Sequence, residues 1–235
     1  MSDRKKQPKY SGRPVNDADV RNSLLDAAAR CLTRKPFAQV GIRELAAEAG
    51  VTSAMIHHYF GSKTGLYKEM ILSRFLPIVE SMEQLSPEKE DLQTIQVDPV
   101  QIYLEKVTKQ LSENPWMVSV IVQEVFTEGS ELREFFLHNI VSRMKKIMPD
   151  LLGKSIKNGK YRADLRPEHL MITVVSLAVF PHIFARIAGQ EMGLNMDAEF
   201  FQVLADHNFR VFKEGVAAGQ TLYPPVNRGM NYEKN

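Results

Sequence analysis

Residues 41–63 read GIRELAAEAGVTSAMIHHYFGSK, and this stretch decides the fold. It divides into two short apolar-periodic segments, about Ile42 to Ala49 and about Ser53 to Tyr59, on either side of Gly50. Two short helices cross steeply over a tight turn only when three positions suit. A small residue must sit where they touch, and Ala46 does. Glycine, free to take positive φ, must make the turn, and Gly50 does. An apolar residue must anchor the second helix from beneath, and Ile56 does, with Val51 and Phe60 expected on the same buried side. The offsets of four and six that separate Ala46, Gly50 and Ile56 match the helix-turn-helix pattern.

The outer side of the second helix follows from helical geometry, about 100° per residue. With Ile56 inward, Ala54 and His58 lie almost opposite it, Met55 and His57 flank them, and Ser53 sits at the N-terminal end. Short side chains and hydrogen-bonding imidazoles on such a helix suit the base edges of a DNA major groove. Thr52, at the helix start, is placed to cap the helix and to approach a phosphate.

Outward from this stretch, periodicity predicts helix nearly everywhere. Upstream, Val20, Leu24, Ala27, Ala28 and Cys31 recur at helical spacing after a cap at Asn16 or Asp17. That helix stops at Lys35-Pro36, because proline disfavours helical geometry in the residue before it. Downstream, a fourth helix starts near Ser62 and continues into the eighties, with a kink expected at Pro77. The polar, aperiodic stretch 86–97 reads as a loop.

Asp98-Pro99 and Asn114-Pro115 each open a helix, and Ser130 is expected to cap one running toward Lys146. Residues 157–160 (KNGK) form a turn, Arg166-Pro167 opens a helix reaching Ile187, and Asp197 starts the last one, to about Ala217. No run alternates apolar and polar at period two, so the chain is all-α, with about nine helices. Residues 170–185 carry no formal charge, but a spanning helix needs about 20 apolar residues. Thr, Ser, Pro and His within the run favour a buried core or interface helix.

The chain has 235 residues and a net charge of +2, with 44% apolar and 25% charged residues, which excludes a disordered or fibrous chain. The neutral total hides an asymmetry: residues 1–65 hold 11 Lys and Arg against 6 Asp and Glu. Most of that excess is in residues 1–13, where Arg4, Lys5, Lys6, Lys9 and Arg13 face only Asp3, the pattern of an arm seeking a polyanion. The single cysteine, Cys31, fits a reducing, cytoplasmic setting, and the N-terminal residues lack the apolar core of a secretory signal.

The stretch from Asn22 to Phe75 resembles the DNA-binding domain of the tetracycline-repressor (TetR) family. The likeness rests on GIRELAAEAGVTSAMIHHYFGSKTGLY, with its Ala-Gly-Val turn, aromatic-rich second helix and Phe-x-Ser-Lys-x-x-Leu-Tyr opening of the fourth helix. It implies a basic flexible arm (1–15), a helix-turn-helix domain (16–75, recognition helix about 52–59), a helical ligand-sensing and dimerisation domain (76–225) and a tail (226–235). It implies DNA contacts from Arg43, Thr52, Ser53, Ala54, Met55, His57, His58 and Tyr59, with Lys63 on a backbone phosphate at a helix N-terminus.

Two positions depart from the family pattern. Gly41 lacks the usual hydroxyl, and His57-His58 replaces a more tyrosine-rich pair. Imidazole ordinarily titrates near pH ~6.5, so this departure leads to the expectation that DNA affinity strengthens as pH falls.

Beyond residue 85 the sequence argues for a homodimer through helices about 167–188 and 197–217. Leu170, Val174, Leu177, Phe180, Phe184, Phe200, Phe201, Leu204, Phe209 and Phe212 make both apolar on more than one face. Ala178, Ala185, Ala188 and Ala205 permit close approach. Trp116, Met117, Phe126, Met144, Met148, Phe180 and His182 are the candidates for a pocket taking an apolar or amphipathic effector. Pro181-His182 stands out among them: the proline frees a backbone carbonyl and the imidazole offers a polar anchor.

No Gly-rich phosphate loop, metal-ligand spacing or Gly-x-Ser-x-Gly elbow is present, so no enzyme, cofactor or metal is expected. The expected function is a ligand-responsive repressor on a palindromic operator. The alternatives are a sequence-indifferent architectural DNA-binding protein and, further off, a helical enzyme.

Overall fold

The structure is a computed structural model that describes residues 17–85, 98–189 and 191–218. The basic arm, the expected loop 86–97 and the C-terminal tail lie outside these residues. The described part is helical, its one β feature being an isolated antiparallel bridge between Tyr161 and Ala217. It forms two compact units whose boundary falls between Met70 and Ile71.

In the first unit, α1 (Asp17–Arg34) buries Val20, Leu24, Ala27, Ala28, Cys31 and Leu32, the stripe its periodicity demands. A short 3-10 turn (Phe37–Gln39) follows Pro36 and leads into α2 (Ile42–Glu48) and α3 (Ser53–Phe60). Helix α4 (Lys63–Glu83) begins in this unit, runs through the boundary and carries Pro77 in its interior. Glu48 ties α2 to α1 by accepting from Arg30 and Arg34 (2.6 and 2.7 Å), and Lys35 donates to Glu44 at 2.7 Å. Those donors hold both carboxyls below the usual glutamate range.

The second unit contains α5 (Pro99–Glu113), α6 (Pro115–Val120), α7 (Glu131–Phe136), α8 (Ser142–Lys157), α9 (Pro167–Ala188) and α10 (Ala198–Val216). A π-helical stretch, Ile121–Val125, extends α6, and another, Leu137–Val141, joins α7 to α8. Because α7 and α8 form one continuous run, the described chain contains nine helical rods. Helix α5 packs on α9 and α10, and α8 packs on α9.

Two caps are as the sequence dictates: Asp98 accepts from the Val100 N–H at 3.0 Å, and Asp197 from the Phe200 N–H at 2.9 Å. Asp98 also accepts from the buried Tyr161 hydroxyl at 2.6 Å, and burial beside that carboxylate drives the phenol far above its ordinary range. Two expected caps are not made. Asn114 turns its amide back to the Gln110 carbonyl (3.0 Å), closing α5 rather than opening α6. Ser130 donates to Glu124 (2.9 Å) and leaves α7 without a side-chain cap.

The proline in α9 is resolved locally. Pro181 has no N–H, so the Leu177 carbonyl one turn earlier lacks its helical donor. The Asn208 side chain of α10 fills that vacancy, donating Nδ2–H to Leu177 O at 3.1 Å.

Candidate nucleic-acid interface and internal cavity

The first candidate site is built on the α2–α3 turn. Gly50 adopts φ +70°, the left-handed value that lets the chain reverse, and the Val51 N–H returns to the Ala46 carbonyl at 2.9 Å. Leu45 and Ile56 are wholly buried beneath the turn, with Ala46 3% exposed between the helices. Val51 and Phe60, expected in the same core, are only half-buried. Phe60 lies at the end of α3, where the Arg21 guanidinium stands 5.5 Å from its ring centre.

Anchored from below by Ile56, α3 turns Ala54, Met55, His57 and His58 outward; all four are exposed, as is Thr52 ahead of the helix. Ser53 is half-buried at its start. Thr52 makes no side-chain cap, so its hydroxyl is not consumed by the helix it precedes. Arg43, on the outer side of α2, is exposed. No acidic side chain occurs on α3. The His57 ring is oriented by Nδ1 against the Gly61 carbonyl at 3.0 Å, which requires the proton on Nδ1 and directs Nε2 away from the helix end.

Two expected DNA contacts are otherwise engaged. Tyr59 donates its hydroxyl to Asp17 of α1 at 2.8 Å, and that carboxylate raises the phenol's pKa. Lys63 does not point its ammonium outward. It donates to the main-chain carbonyls of Phe37 (3.0 Å) and Val40 (2.9 Å) and lies 4.1 Å from the centre of the Phe37 ring. The ammonium thus closes the loop ahead of α2 onto the start of α4, a fastening that the motif alone does not reveal.

The α3–α4 junction adds a residue that sequence reading passed over. A Cβ at Gly65 would run into the Phe60 carbonyl, so only glycine fits that first turn of α4. Its neighbour Gly61 takes φ +71°, and the Gly65 N–H bonds to the Ser62 hydroxyl at 3.0 Å.

The second candidate site lies inside the second unit. A cavity of about 540 Å³ is walled by α5, α6, the run through α7 and α8, α9 and the part of α4 beyond Ile71. Its wall is overwhelmingly apolar; Tyr103, Lys145 and Ser176 are its polar side chains. Burial holds the Tyr103 phenol well above its ordinary range, so it is a neutral hydroxyl at any physiological pH.

Of the residues singled out from sequence, Met117, Phe126 and Met144 line this cavity. The others do not. Trp116 packs edge-on against Phe75 in the core, Met148 is buried in α8, and Phe180 is 58% exposed. His182 is buried but borders a different cleft, stacked on Phe201 at 3.9 Å. Residue type placed these candidates along the central helices, but only packing decides which face of each helix looks into the cavity.

The residues expected at a dimer interface also divide. Leu170, Val174, Ala178, Phe201, Ala205 and Phe212 are consumed in the unit's own core. Phe180 is 58% exposed, and Ile187, Val203 and Val211, which are not among the expected residues, are exposed at 73%, 60% and 53%. Helix α9 is long and apolar enough to cross a membrane by length and composition, with a mean hydropathy of 1.9. Among the described residues no group of His, Cys, Asp and Glu could hold a metal ion.

Comparison with known proteins follows this division into units. Residues 24–70 match the model of the bacterial regulatory proteins of the tetR family. The HTH-type transcriptional regulator BetI of Agrobacterium fabrum is 41% identical over 66 residues, 28% of this chain and 30% of that protein. The match therefore spans less than a third of that relative. The HTH-type transcriptional repressor KstR2 of Mycolicibacterium smegmatis is 26% identical over 65% of this chain and 72% of its own.

Solved structures share the fold over most of the length. NalD, the secondary repressor of the MexAB-OprM multidrug efflux pump in Pseudomonas aeruginosa, superposes with a TM-score of 0.65 at 15% identity, covering 87% of this chain and all of that one. The regulator FadR of Bacillus subtilis, in complex with stearoyl-CoA, gives 0.64 at 18% identity, covering 83% and 98%. Residues 24–70 thus carry the helix-turn-helix of the tetR family of bacterial regulatory proteins, and the helical architecture as a whole is one that these solved regulators share.

Proposed function

We propose that the protein is a cytoplasmic transcriptional repressor that reads a palindromic operator as a homodimer and releases it when a small apolar or amphipathic effector fills the cavity. The observation that carries the reading is the outer face of α3. It is exposed, free of acid and held in fixed orientation by Ile56 and the Gly50 turn. On this reading Thr52, Ser53, Ala54, Met55, His57 and His58 meet the major groove and Arg43 a flanking phosphate. Tyr59 and Lys63 act one step back, by fixing α3 against α1 and the loop before α2 to α4.

A dimer follows from what groove reading requires: two recognition helices roughly 34–36 Å apart, matching successive turns of B-DNA. The exposed apolar stripe on α9 and α10 is the surface available for it. The cavity's size falls within the ordinary range for small-molecule sites, about 300–1,000 Å³. The stearoyl-CoA bound to the Bacillus FadR supports an apolar occupant. Helix α4 runs from Lys63 through the unit boundary to Glu83 and supplies cavity wall at Phe75, Ile78 and Val79, so it is the lever between effector and operator. Linkage then requires that operator DNA weaken effector binding by the same factor as effector weakens DNA binding.

Selection of bound duplexes from a random pool by the full chain tests the reading. A palindrome with two half-sites about one helical turn apart is expected. Recovery of sequence-indifferent DNA with strong salt dependence would favour an architectural protein instead.

A further inference from the structure

A second, smaller cleft opens in the same unit, away from the cavity assigned to the effector. It has a volume of about 390 Å³ and lies among α5, α6, the end of α9 and the start of α10. Three features make it more than a surface dent. His182 borders it with only 4% of its surface exposed, and its Nε2 is buried without a hydrogen-bond partner. A buried polar atom left unmatched is rare in folded proteins and marks a place where a further group completes the bonding.

The second feature is Arg186, one turn beyond His182 on α9. Its Nη1 is fixed by donation to the Ser119 hydroxyl at 2.6 Å, and Ser119 itself is 1% exposed. The guanidinium is therefore anchored on one side while its remaining N–H groups keep the fork geometry that matches a carboxylate. The third is an apolar share of the wall, from Leu111, Pro115, Val118, Leu194 and Phe201, the last of which stacks on the imidazole.

The charge inventory chooses the ligand class. Among the described residues, Arg186 is the one cation lining the cleft and Asp197 the one anion. Asp197 has both oxygens occupied by its own segment, Oδ1 by the Phe200 N–H and Oδ2 by the Asn195 amide at 2.7 Å. A single anchored guanidinium balances one negative charge, whereas a phosphate carrying nearly two would be undercompensated. We infer that this cleft is a second ligand site for a small monocarboxylic acid with an apolar body. Its carboxylate pairs with Arg186 and its body lies against Phe201 and His182. Burial keeps the imidazole neutral, so it joins such a ligand by hydrogen bonding and stacking and adds no charge of its own.

The test uses the full-length protein and calorimetric titration with 3-phenylpropanoate, its neutral amide 3-phenylpropanamide, and phenyl phosphate. Saturable binding of the carboxylate is expected, at least tenfold tighter than the amide and tighter than the phosphate. Arg186→Gln should weaken the carboxylate at least tenfold, and Arg186→Lys less. Val175→Trp, which obstructs the larger cavity, should leave it unchanged. The His182 ring signals in NMR should shift on addition of the carboxylate to the wild-type protein, a readout that needs no variant to fold.

Absence of saturable binding, equal affinity for acid and amide, or retention in Arg186→Gln would overturn the inference. So would unmoved His182 signals. Loss on Val175→Trp with retention in Arg186→Gln would place the ligand in the larger cavity. Failure of DNA selection would leave this result intact, because nothing in the titration involves DNA.

Discussion

The pairing of Pro181 with Asn208 gives a stability prediction whose size follows from the structure. Pro181 deprives the Leu177 carbonyl of its helical donor, and Asn208 of α10 replaces that donor at 3.1 Å. Asn208 is 9% exposed, so Asn208→Ala strands a carbonyl that water reaches poorly. An unmatched buried acceptor costs about 1–3 kcal/mol, and the truncation adds a small loss of packing. In a Pro181→Ala background the residue-181 N–H returns and bonds Leu177 O itself, so the same Asn208→Ala change should cost only the packing part.

The expected coupling between the two positions is therefore about 1–2 kcal/mol, above the roughly 0.3–0.5 kcal/mol within which unrelated sites add. Urea unfolding of the four proteins, followed by helical circular dichroism, measures it. Thermal midpoints should move in parallel, by about 2–4 °C per kcal/mol for a chain of this size. An Asn208→Ala penalty identical in both backgrounds would refute the argument that Asn208 exists to answer the proline.

Three further outcomes are expected. Lys63→Met should lower the thermal midpoint while leaving the salt dependence of DNA binding unchanged, because the ammonium is bonded to Phe37 and Val40 carbonyls; a slope shallower by about 0.9 would instead mean that it holds a phosphate. Removing residues 1–13, with their five basic side chains, should weaken binding to every duplex and flatten the salt dependence while leaving operator preference intact. An altered consensus from DNA selection would contradict this. His182 is buried and its pKa is pushed down to about 4 from an ordinary 6.5, so the native state refuses a proton that the unfolded chain accepts. Its contribution is whole above about pH 6.5 and drains away as pH falls toward 4, by up to about 3 kcal/mol. His182→Gln should remove that part of the acid sensitivity, and unfolding curves for the two proteins that stay parallel from pH 7 to 4 would contradict the assignment.

The helix-turn-helix was legible because its geometry is local. Gly50 must turn, Ala46 must be small and Ile56 must point down, and all three constraints act within a dozen residues. The same holds for the Asp98 and Asp197 caps, whose oxygens bond N–H groups two and three residues on. What escaped was decided by partners far along the chain. Lys63 at a helix start reads as a phosphate ligand until the carbonyls of Phe37 and Val40 are brought beneath it. Gly65 looks like an ordinary helical glycine until the Phe60 carbonyl occupies the place of its Cβ. Asn208, thirty-one residues from Leu177, gave no signal except that a helix containing an interior proline needs a donor from somewhere.

Helix α9 shows why apolar content alone was ambiguous. Its length and hydropathy are those of a membrane span, yet they arise from three separate demands on one rod. One face, Leu170, Val174 and Ala178, closes the core against α5, α8 and α10. A second, with Met171, Val175, Val179 and Ile183, walls the larger cavity. The third, with Phe180 and Ile187, remains exposed on the isolated chain. Near its end the helix also holds two polar side chains, His182 and Arg186, which a lipid-facing rod would not place one turn apart beside a buried serine. A helix that satisfies a core and a cavity on two sides and carries a charged, anchored end has one apolar face left over. On the proposed reading, a second copy of the chain covers that face and gives both recognition helices their spacing on DNA.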